Sequence, residues 1–182
     1  MNTSTHSHRP QPQGVPILSR GQIDQILAHA SENPRWEVVH DLVEIVYGTG
    51  LRRKEMADLL ITDVDTVQNC INIVGATSRD GGRHVPLTSN ALAAIIRLHS
   101  LNPNSKFVLG DKADARLARA SRDLPTIASQ IGASDVSLHA LRASFAACLV
   151  SGGLDVATLA SLMGYSSADT TSRFYMRNND DD

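Results

Sequence analysis

The spacing of apolar residues follows a helical period along most of the chain but not between residues 70 and 87. The segment CINIV (70–74) alternates apolar and polar side chains and contains β-branched residues, which favours a strand. The segment RHVPL (83–87) also favours a strand, and ATSRDGG (76–82) between the two is typical of a turn. We therefore predict an antiparallel hairpin, together with a short earlier strand near LLITDV (59–64).

The rest of the chain follows a helical period. Ser19 and Gln22 form a capping-box pattern at the start of a first helix, and apolar residues follow at helical spacing. A second helix is predicted to open at Pro34 and to stop at GTG (48–50), and a third to begin at Leu51. About five helices follow the hairpin. The fold class predicted is mainly α with a small antiparallel β-sheet.

This pattern predicts one domain over residues 19–178 of the 182-residue chain. Residues 1–18 are polar and rich in Pro and Gln, so we expect a disordered tail. Residues 179–182 form a short acidic tail.

The sequence also indicates where in the cell the protein is located. It has no run of about 18 apolar residues for a membrane span, and its N-terminus has no apolar segment flanked by basic residues, as a secretory signal has. Cys70 and Cys148 have no ligand partners at zinc spacing, so we expect reduced thiols and no metal site. These features predict a cytoplasmic protein without membrane contact.

Two arginines lie next to residues that could orient or assist them. Arg52 follows the GTG turn, and Glu55 lies three residues later on the same helix face. His139 and Arg142 are also three apart, which pairs a proton donor or acceptor with a planar anion binder. Each pattern has a plainer interpretation: a surface ion pair worth under about 1 kcal/mol, or a half-buried histidine beside a solvated arginine.

Two tyrosines complete the set of polar candidates. Tyr165 follows Gly164 in LMGYSS and projects from a turn, and Tyr175 lies near the end of the chain. Either could simply be a packing residue, and only the joint order of the candidates distinguishes them.

That order resembles the catalytic domain of the tyrosine recombinases, the phage integrase family. The segment YGTGLRRKE looks like the first arginine box of the family. The segment SLHALRASFAACLVSGGLDVATLASLMGYSS, followed by TT and a tyrosine, looks like its second box. The resemblance covers roughly residues 15–178 and implies the fold of that catalytic domain, which agrees with the predicted elements.

The resemblance implies site-specific DNA recombination through a 3′-phosphotyrosine intermediate. Tyr175 would be the nucleophile, and Arg52 and Arg142 would clamp the non-bridging phosphate oxygens. His139 would donate a hydrogen bond to the phosphate or help to move the proton of the tyrosine, and Tyr165 would donate one hydrogen bond. No metal or other cofactor would be needed, because the arginines supply the charge and the phosphotyrosine conserves the bond energy.

Three positions depart from the family pattern. The family usually has a lysine in the hairpin turn, where it protonates the leaving 5′-oxygen, but the turn here contains no lysine. Arg79 is the nearest cation, and it is a poor proton donor because the pKa of arginine exceeds about 12. Tyr165 stands where the family commonly has His or Trp, and Ala143 where it often has His.

The family resemblance also implies partners. Double-stranded DNA is the expected substrate, and further copies of the chain are expected on it, since the family works as a tetramer. Family members usually carry an N-terminal core-DNA-binding domain, which is absent from this sequence. We therefore expect either a fragment of a longer recombinase or a truncated relative. Nucleoid association would follow from DNA binding.

Charge argues against strong DNA binding, because the formal net charge is −2 and phosphate binding depends on Lys and Arg. Local distribution partly offsets this, since several basic residues lie near the arginine box or along one predicted helix. The DNA-contacting candidates are Arg53, Lys54, Lys112, Arg116, Arg119 and Arg122. A solvated helix face is an equally good interpretation of the last four. Weak, salt-dependent binding is the expectation.

Two alternatives to an active recombinase stay open at this point. The first is a degenerate integrase-like domain that binds DNA or a protein partner without cleavage, which the missing lysine and the low charge favour. The second is a helical protein with no role on DNA.

Overall fold

The computed structural model describes residues 15–73 and 82–165. Among these residues the chain forms seven α-helices and three β-strands. The elements are α1 Arg20–Ser31, α2 Glu37–Thr49, α3 Arg53–Asp58, β1 Val64–Asp65, β2 Cys70–Ile73, β3 Arg83–Pro86, α4 Ser89–Ser100, α5 Ala113–Ser129, α6 Leu138–Ser151 and α7 Val156–Met163.

Helix α2 forms the centre of the fold and packs against α1, α4, α5 and α6. Its apolar side chains Leu42, Ile45 and Val46 are all buried in the main core. Each contributes about 1.5–3 kcal/mol through removal of apolar surface from water. A smaller apolar cluster lies between α6 and α7 and includes Leu159 and Met163.

The three strands form one antiparallel sheet in the order β1-β2-β3. Val64 pairs with Ile71, and Ile71 pairs with Val85. Ile71 and Val85 are buried, so one face of the sheet packs on the helices. The predicted antiparallel pairing of the two strands is thereby confirmed, and the predicted turn, apart from Gly82, lies outside the described residues. The first strand is shorter than expected and comes at the end of the predicted 59–64 segment.

Helix α1 begins as predicted. Ser19 is its N-cap: the Ser19 hydroxyl accepts a hydrogen bond from the backbone N–H of Gln22, and the side-chain oxygen of Gln22 accepts one from the backbone N–H of Ser19. Leu18, just before the predicted domain start, is already buried, and its backbone N–H donates to the Ser144 hydroxyl at 2.8 Å. The N-terminal segment therefore joins the core no later than Leu18.

The helix predicted at Pro34 begins later than expected. Residues Pro34–Trp36 form a single 3-10 turn capped by Asn33, and the α-helix proper starts at Glu37. The Asn33 side chain accepts from the backbone N–H of Arg35, so this turn has its own cap and leads directly into α2 at Glu37.

The third helix starts at Arg53 rather than at Leu51. Gly50 has a left-handed φ of 65° and caps α2, and Arg52 stays extended with φ −74° and ψ 153°. A Cβ on Gly50 would lie 2.5 Å from the Phe145 ring. Glycine is therefore required at position 50 for two reasons: the left-handed backbone conformation and the close contact with α6.

Within the described residues, none of the helices has the length and apolar character needed to cross a membrane. Cys70 and Cys148 are both free thiols, the first partly buried and the second exposed.

Candidate functional site

Three consecutive carbonyl groups at the end of α7 each accept a hydrogen bond from a different arginine. The pairs are Arg83 with Leu162, Arg142 with Met163, and Arg52 with Gly164. Carbonyls at a helix C-terminus lack intrahelical partners and carry partial negative charge, so cations bind there favourably. The arginines come from β3, α6 and the N-cap of α3, which the fold brings to one point.

Arg142 is the buried member of this group, with 5% of its surface exposed. Its Nη2 donates to Met163 at 2.8 Å, and its Nη1 donates to the carbonyl oxygen of Gly50. Burial lowers the pKa of Arg142 from its ordinary value, and the charge of Arg52 acts in the same direction. The two carbonyls fix the plane of the guanidinium, which prepares it for one orientation of an anion.

Arg52 is the more accessible arginine, with a side chain 38% exposed. Its Nη1 lies 3.1 Å from Oε1 of Glu55, and its Nη2 donates to the carbonyl of Gly164. The backbone N–H of Arg52 donates to Oε2 of Glu55 at 2.8 Å, which caps α3. The predicted orientation of Arg52 by Glu55 therefore has its geometric basis in the structure.

Glu55 is largely buried, with a side chain 14% exposed. Burial by itself raises the pKa of its carboxyl, but the hydrogen bonds from Arg83 and from the Arg52 backbone, together with both positive charges, outweigh that effect. The pKa of Glu55 is consequently lowered, and the group is ionised at neutral pH.

Tyr165 lies beside the two predicted arginines. Its ring centroid is 5.2 Å from Cζ of Arg142 and 5.8 Å from Cζ of Arg52, within the range of cation–π contacts. Gly164 before it has a left-handed φ of 64°, and a Cβ there would lie 2.8 Å from Arg83. Glycine at this position lets the turn approach the arginines closely.

His139 is exposed in the first turn of α6, one turn before Arg142. Ser137 caps this helix through the backbone N–H of Ala140. Helix N-termini favour negative charge, so the position suits an anion-binding side chain. Tyr175 and Arg79 lie outside the described residues.

Arg83 belongs to this cluster, although the sequence interpretation did not single it out. A signal for it exists in the strand pattern: Arg83 is two residues before the buried Val85, and residues i and i+2 of a strand share a face. An inward-facing arginine at the start of a hairpin strand is a buried charge that needs a partner.

The predicted DNA-contacting residues of α3 face α5 or their own helix. Arg53 donates to the Ser121 hydroxyl at 3.3 Å and lies 4.0 Å from Asp114. Lys54 forms an exposed ion pair with Asp58 at 2.8 Å. Neither side chain contacts the arginine cluster at α7.

The predicted basic residues of α5 are divided by their partners. Lys112, Arg116 and Arg119 line a common cleft near the start of the helix. Arg116 donates to the carbonyl of Leu109 at 2.6 Å, and Arg119 lies 3.4 Å from Asp123. The remaining predicted residue, Arg122, is exposed farther along α5.

Over residues 15–73 and 82–165, no three His, Cys, Asp or Glu side chains converge as they would around a metal ion. The charged groups assembled at α7 are instead guanidiniums, which bind phosphate and carboxylate oxygens in two-pronged geometry.

Relatives of this chain carry recombinase names. The tyrosine recombinase XerC of Roseiflexus castenholzii is 29% identical over 167 residues, which cover 85% of this chain and 52% of that protein. The tyrosine recombinase XerD of Brucella suis is 33% identical over 144 residues, covering 73% of this chain and 46% of that protein. The chain thus spans about half the length of the curated relatives it matches.

Solved structures share the fold. XerA recombinase superposes with a TM-score of 0.73 at 23% identity, covering 90% of this chain and 61% of that one. The Tn1549 transposon integrase in complex with transposon right end DNA also gives 0.73, at 18% identity, covering 90% of this chain and 62% of that one. The predicted fold, mainly α with a small antiparallel sheet, is therefore confirmed.

The family model described as "Phage integrase family" matches residues 16–182, nearly the whole chain. The same span contains the two segments whose resemblance to the arginine boxes was noted in the sequence, and the arginine cluster joins them in space. This chain belongs to the phage integrase family.

Proposed function

We propose that this chain is the catalytic domain of a site-specific recombinase that cleaves and rejoins DNA through a 3′-phosphotyrosine. One observation carries the proposal: Arg52 and Arg142, 90 positions apart in sequence, donate to adjacent carbonyls of one helix end and contact the same tyrosine ring. The names of the relatives, tyrosine recombinases XerC and XerD, support the same activity.

The two arginines stabilise the reacting phosphate. A phosphodiester under attack passes through a five-coordinate state that gathers negative charge on its non-bridging oxygens. Protein carbonyls hold both guanidiniums before substrate arrives, so little reorganisation is needed at the moment of reaction. Arg52, the more exposed of the two, forms the entrance side of the phosphate site, and the buried Arg142 forms its base.

Tyr175 is the nucleophile of this proposal. Its oxygen attacks the phosphorus and forms the 3′-phosphotyrosine, while the bond from phosphorus to the 5′-oxygen breaks and a 5′-hydroxyl leaves. Attack by a 5′-hydroxyl on the phosphotyrosine reverses the step and rejoins the strand. His139 hydrogen-bonds the phosphate or moves the tyrosine proton, and Tyr165 adds a hydrogen bond from beside Arg142.

Protonation of the leaving 5′-oxygen is the step expected to limit the rate. The hairpin turn has Arg79 where the family uses lysine, and arginine gives up a proton poorly. We expect slower cleavage for this reason, with a 5′-thiolated DNA strand, whose leaving group needs no proton, restoring much of the rate.

The substrate proposed is double-stranded DNA, bound by more than one copy of the chain at the nucleoid. Among structural neighbours, XerH is described as bound to difH substrate and lambda integrase as a dimer bound to a core site. In this chain Arg53, Lys54 and the basic residues of α5 supply the candidate phosphate contacts. The net charge of −2 makes binding weak, and the phosphate contacts of these basic residues make it strongly dependent on salt.

A trapping experiment tests the proposal. The chain is incubated with a pool of nicked duplexes of random sequence, from which the short fragment that carries the released 5′-hydroxyl diffuses away after cleavage, and covalent complexes are recovered after denaturation. Wild type is expected to yield adducts enriched in one sequence, and Tyr175→Phe none. If wild type binds the pool but forms no adduct, the chain is a non-cleaving DNA-binding domain and the proposal is wrong.

A further inference from the structure

Arg83 at the start of β3 holds two other elements together. Its Nε donates to the carbonyl of Leu162 at 2.8 Å, and its Nη2 donates to Oε2 of Glu55 at 2.8 Å. Its Nη1 packs on the backbone of Gly164, 2.8 Å from where a Cβ would be. One guanidinium thus contacts α3 and the end of α7 from a strand of the sheet.

The carboxylate of Glu55 is shared between two arginines. Oε2 accepts from Arg83 and from the backbone N–H of Arg52, both at 2.8 Å, and Oε1 lies 3.1 Å from Nη1 of Arg52. Arg83 and Glu55 side chains are each 14% exposed. Removal of Arg83 would leave a largely buried carboxylate with one cation instead of two, which favours a rearrangement around Arg52.

The two groups that hold the Arg52 side chain are therefore both contacted by Arg83. These groups are the Glu55 carboxylate and the turn at Gly164. We infer that Arg83 is a positioning residue, which fixes the guanidinium of Arg52 by holding Glu55 and the last turn of α7 in place. The inference deepens the proposed function and rests on it for the consequence in DNA cleavage.

Arg83 acts through Arg52 rather than on the phosphate itself. Two of its three nitrogen positions donate to protein oxygens, the third packs on Gly164, and the side chain is 14% exposed against 38% for Arg52. Its position at the start of β3 also ties that strand to the arginine cluster.

The first test needs no DNA. Nitrogen NMR distinguishes the two Nη groups of an arginine when hydrogen bonds slow guanidinium rotation, and shows one averaged signal when rotation is free. Wild type is expected to give separate Nη signals for Arg52. Arg83→Met and Arg83→Lys are expected to give an averaged signal, because a lysine cannot reach both Leu162 and Glu55 with a fixed fork.

The matched control is another arginine paired with a buried carboxylate. Arg97 on α4 donates to Asp41 through Nε at 3.0 Å and Nη2 at 2.6 Å, and Asp41 is 3% exposed. Neither residue contacts the arginine cluster. Arg97→Met is expected to lower the melting temperature as Arg83→Met does, with the Arg52 signals unchanged.

The second test measures adduct formation on the trapped duplex, at a temperature where each variant is folded. Arg83→Met is expected to lower the cleavage rate by about 100-fold, the scale of a misplaced catalytic group, with DNA affinity within about twofold of wild type. Arg97→Met is expected to cleave at the wild-type rate. If Arg83→Met does not fold, Arg83→Lys against Arg97→Lys gives the same comparison.

The outcomes separate the two proposals. Separate Arg52 signals in the folded Arg83 variants overturn the inference, whatever the DNA result. Averaged signals with wild-type cleavage overturn the catalytic part of the inference, because cleavage would then not depend on how firmly the Arg52 guanidinium is held. If wild type forms no adduct, the proposed function fails, and the NMR comparison alone decides whether Arg83 positions Arg52.

Discussion

The arginines at the end of α7 and the basic residues on α3 and α5 carry the same charge but differ in their partners. In the α7 cluster, three guanidiniums face one carboxylate and several neutral carbonyls, which leaves two positive charges in excess. On the helix surfaces, Lys54 and Arg119 each lie beside an aspartate of their own helix. Carbonyl partners orient a cation without neutralising it, whereas carboxylate partners cancel its charge.

This difference explains how a chain with a net charge of −2 can still concentrate positive potential at one point. The exposed ion pairs contribute little to stability, at most about 1 kcal/mol each, and they offer little net charge to a phosphate. The α7 cluster offers both a fixed geometry and uncompensated charge. The comparison predicts that catalysis depends on the cluster and that the helix surfaces only tune affinity.

The largest effect is expected from Arg142→Ala. The substitution removes a proposed phosphate donor and leaves the carbonyls of Gly50 and Met163 unpaired in a buried site. Cleavage should therefore fall by about 10²–10³-fold and unfolding free energy by about 1–3 kcal/mol. Trapping kinetics and urea denaturation measure the two effects. Arg122→Ala on the surface of α5 should change the cleavage rate less than tenfold; equal losses would contradict the comparison.

A smaller effect on cleavage than that of Arg142→Ala is expected from Gly164→Ala, whose main consequence is a loss of stability. An alanine at this position must adopt a left-handed φ, and its Cβ would lie 2.8 Å from Arg83. We therefore expect a loss of about 2–3 kcal/mol in unfolding free energy. Gly132 is the matched control, since it has φ 71° with nothing within 4 Å of its Cβ. Gly132→Ala should cost only about 1 kcal/mol, the backbone component; equal costs in urea denaturation would show that contact with Arg83 is unimportant.

The smallest effect is expected from Lys112→Ala, on the cleft at the start of α5. The residue is exposed and has no carboxylate partner within the described residues, so removal should reduce the salt dependence of DNA binding by about one in the log–log slope. Fluorescence anisotropy at several salt concentrations measures it. Arg20→Ala, on α1 and paired with Asp24, should leave the slope unchanged, and a similar change in both would place DNA elsewhere.

Local patterns predicted the elements well. The capping box at Ser19 and the two alternating strand segments could be predicted from the sequence, because each pattern depends only on neighbouring residues. The start of α3 was predicted two residues early, since Arg52 is not the second helical residue but an extended N-cap whose N–H donates to Glu55. The spacing of apolar residues does not show which residue takes the capping conformation.

The candidate site was predictable to a different degree. The family resemblance pointed to Arg52, Arg142 and Tyr165, which the structure brings together. Arg83 was missed because its partner carbonyl at Leu162 lies 79 positions away, and no spacing rule relates a strand to a helix end. The three arginines donate to three consecutive carbonyls only because tertiary packing brings their elements to the end of α7.

Anchoring the end of α7 has a consequence for the chain that follows it. Ten positions separate Tyr165 from Tyr175, and ten residues span at most about 36 Å when fully extended. Tyr175 is therefore joined by a short segment to a helix end that the arginine side chains hold in place. If Tyr175 is the proposed nucleophile, its effective concentration at the proposed phosphate site depends on the length and stiffness of that segment, so changes in the length of this segment should alter the cleavage rate.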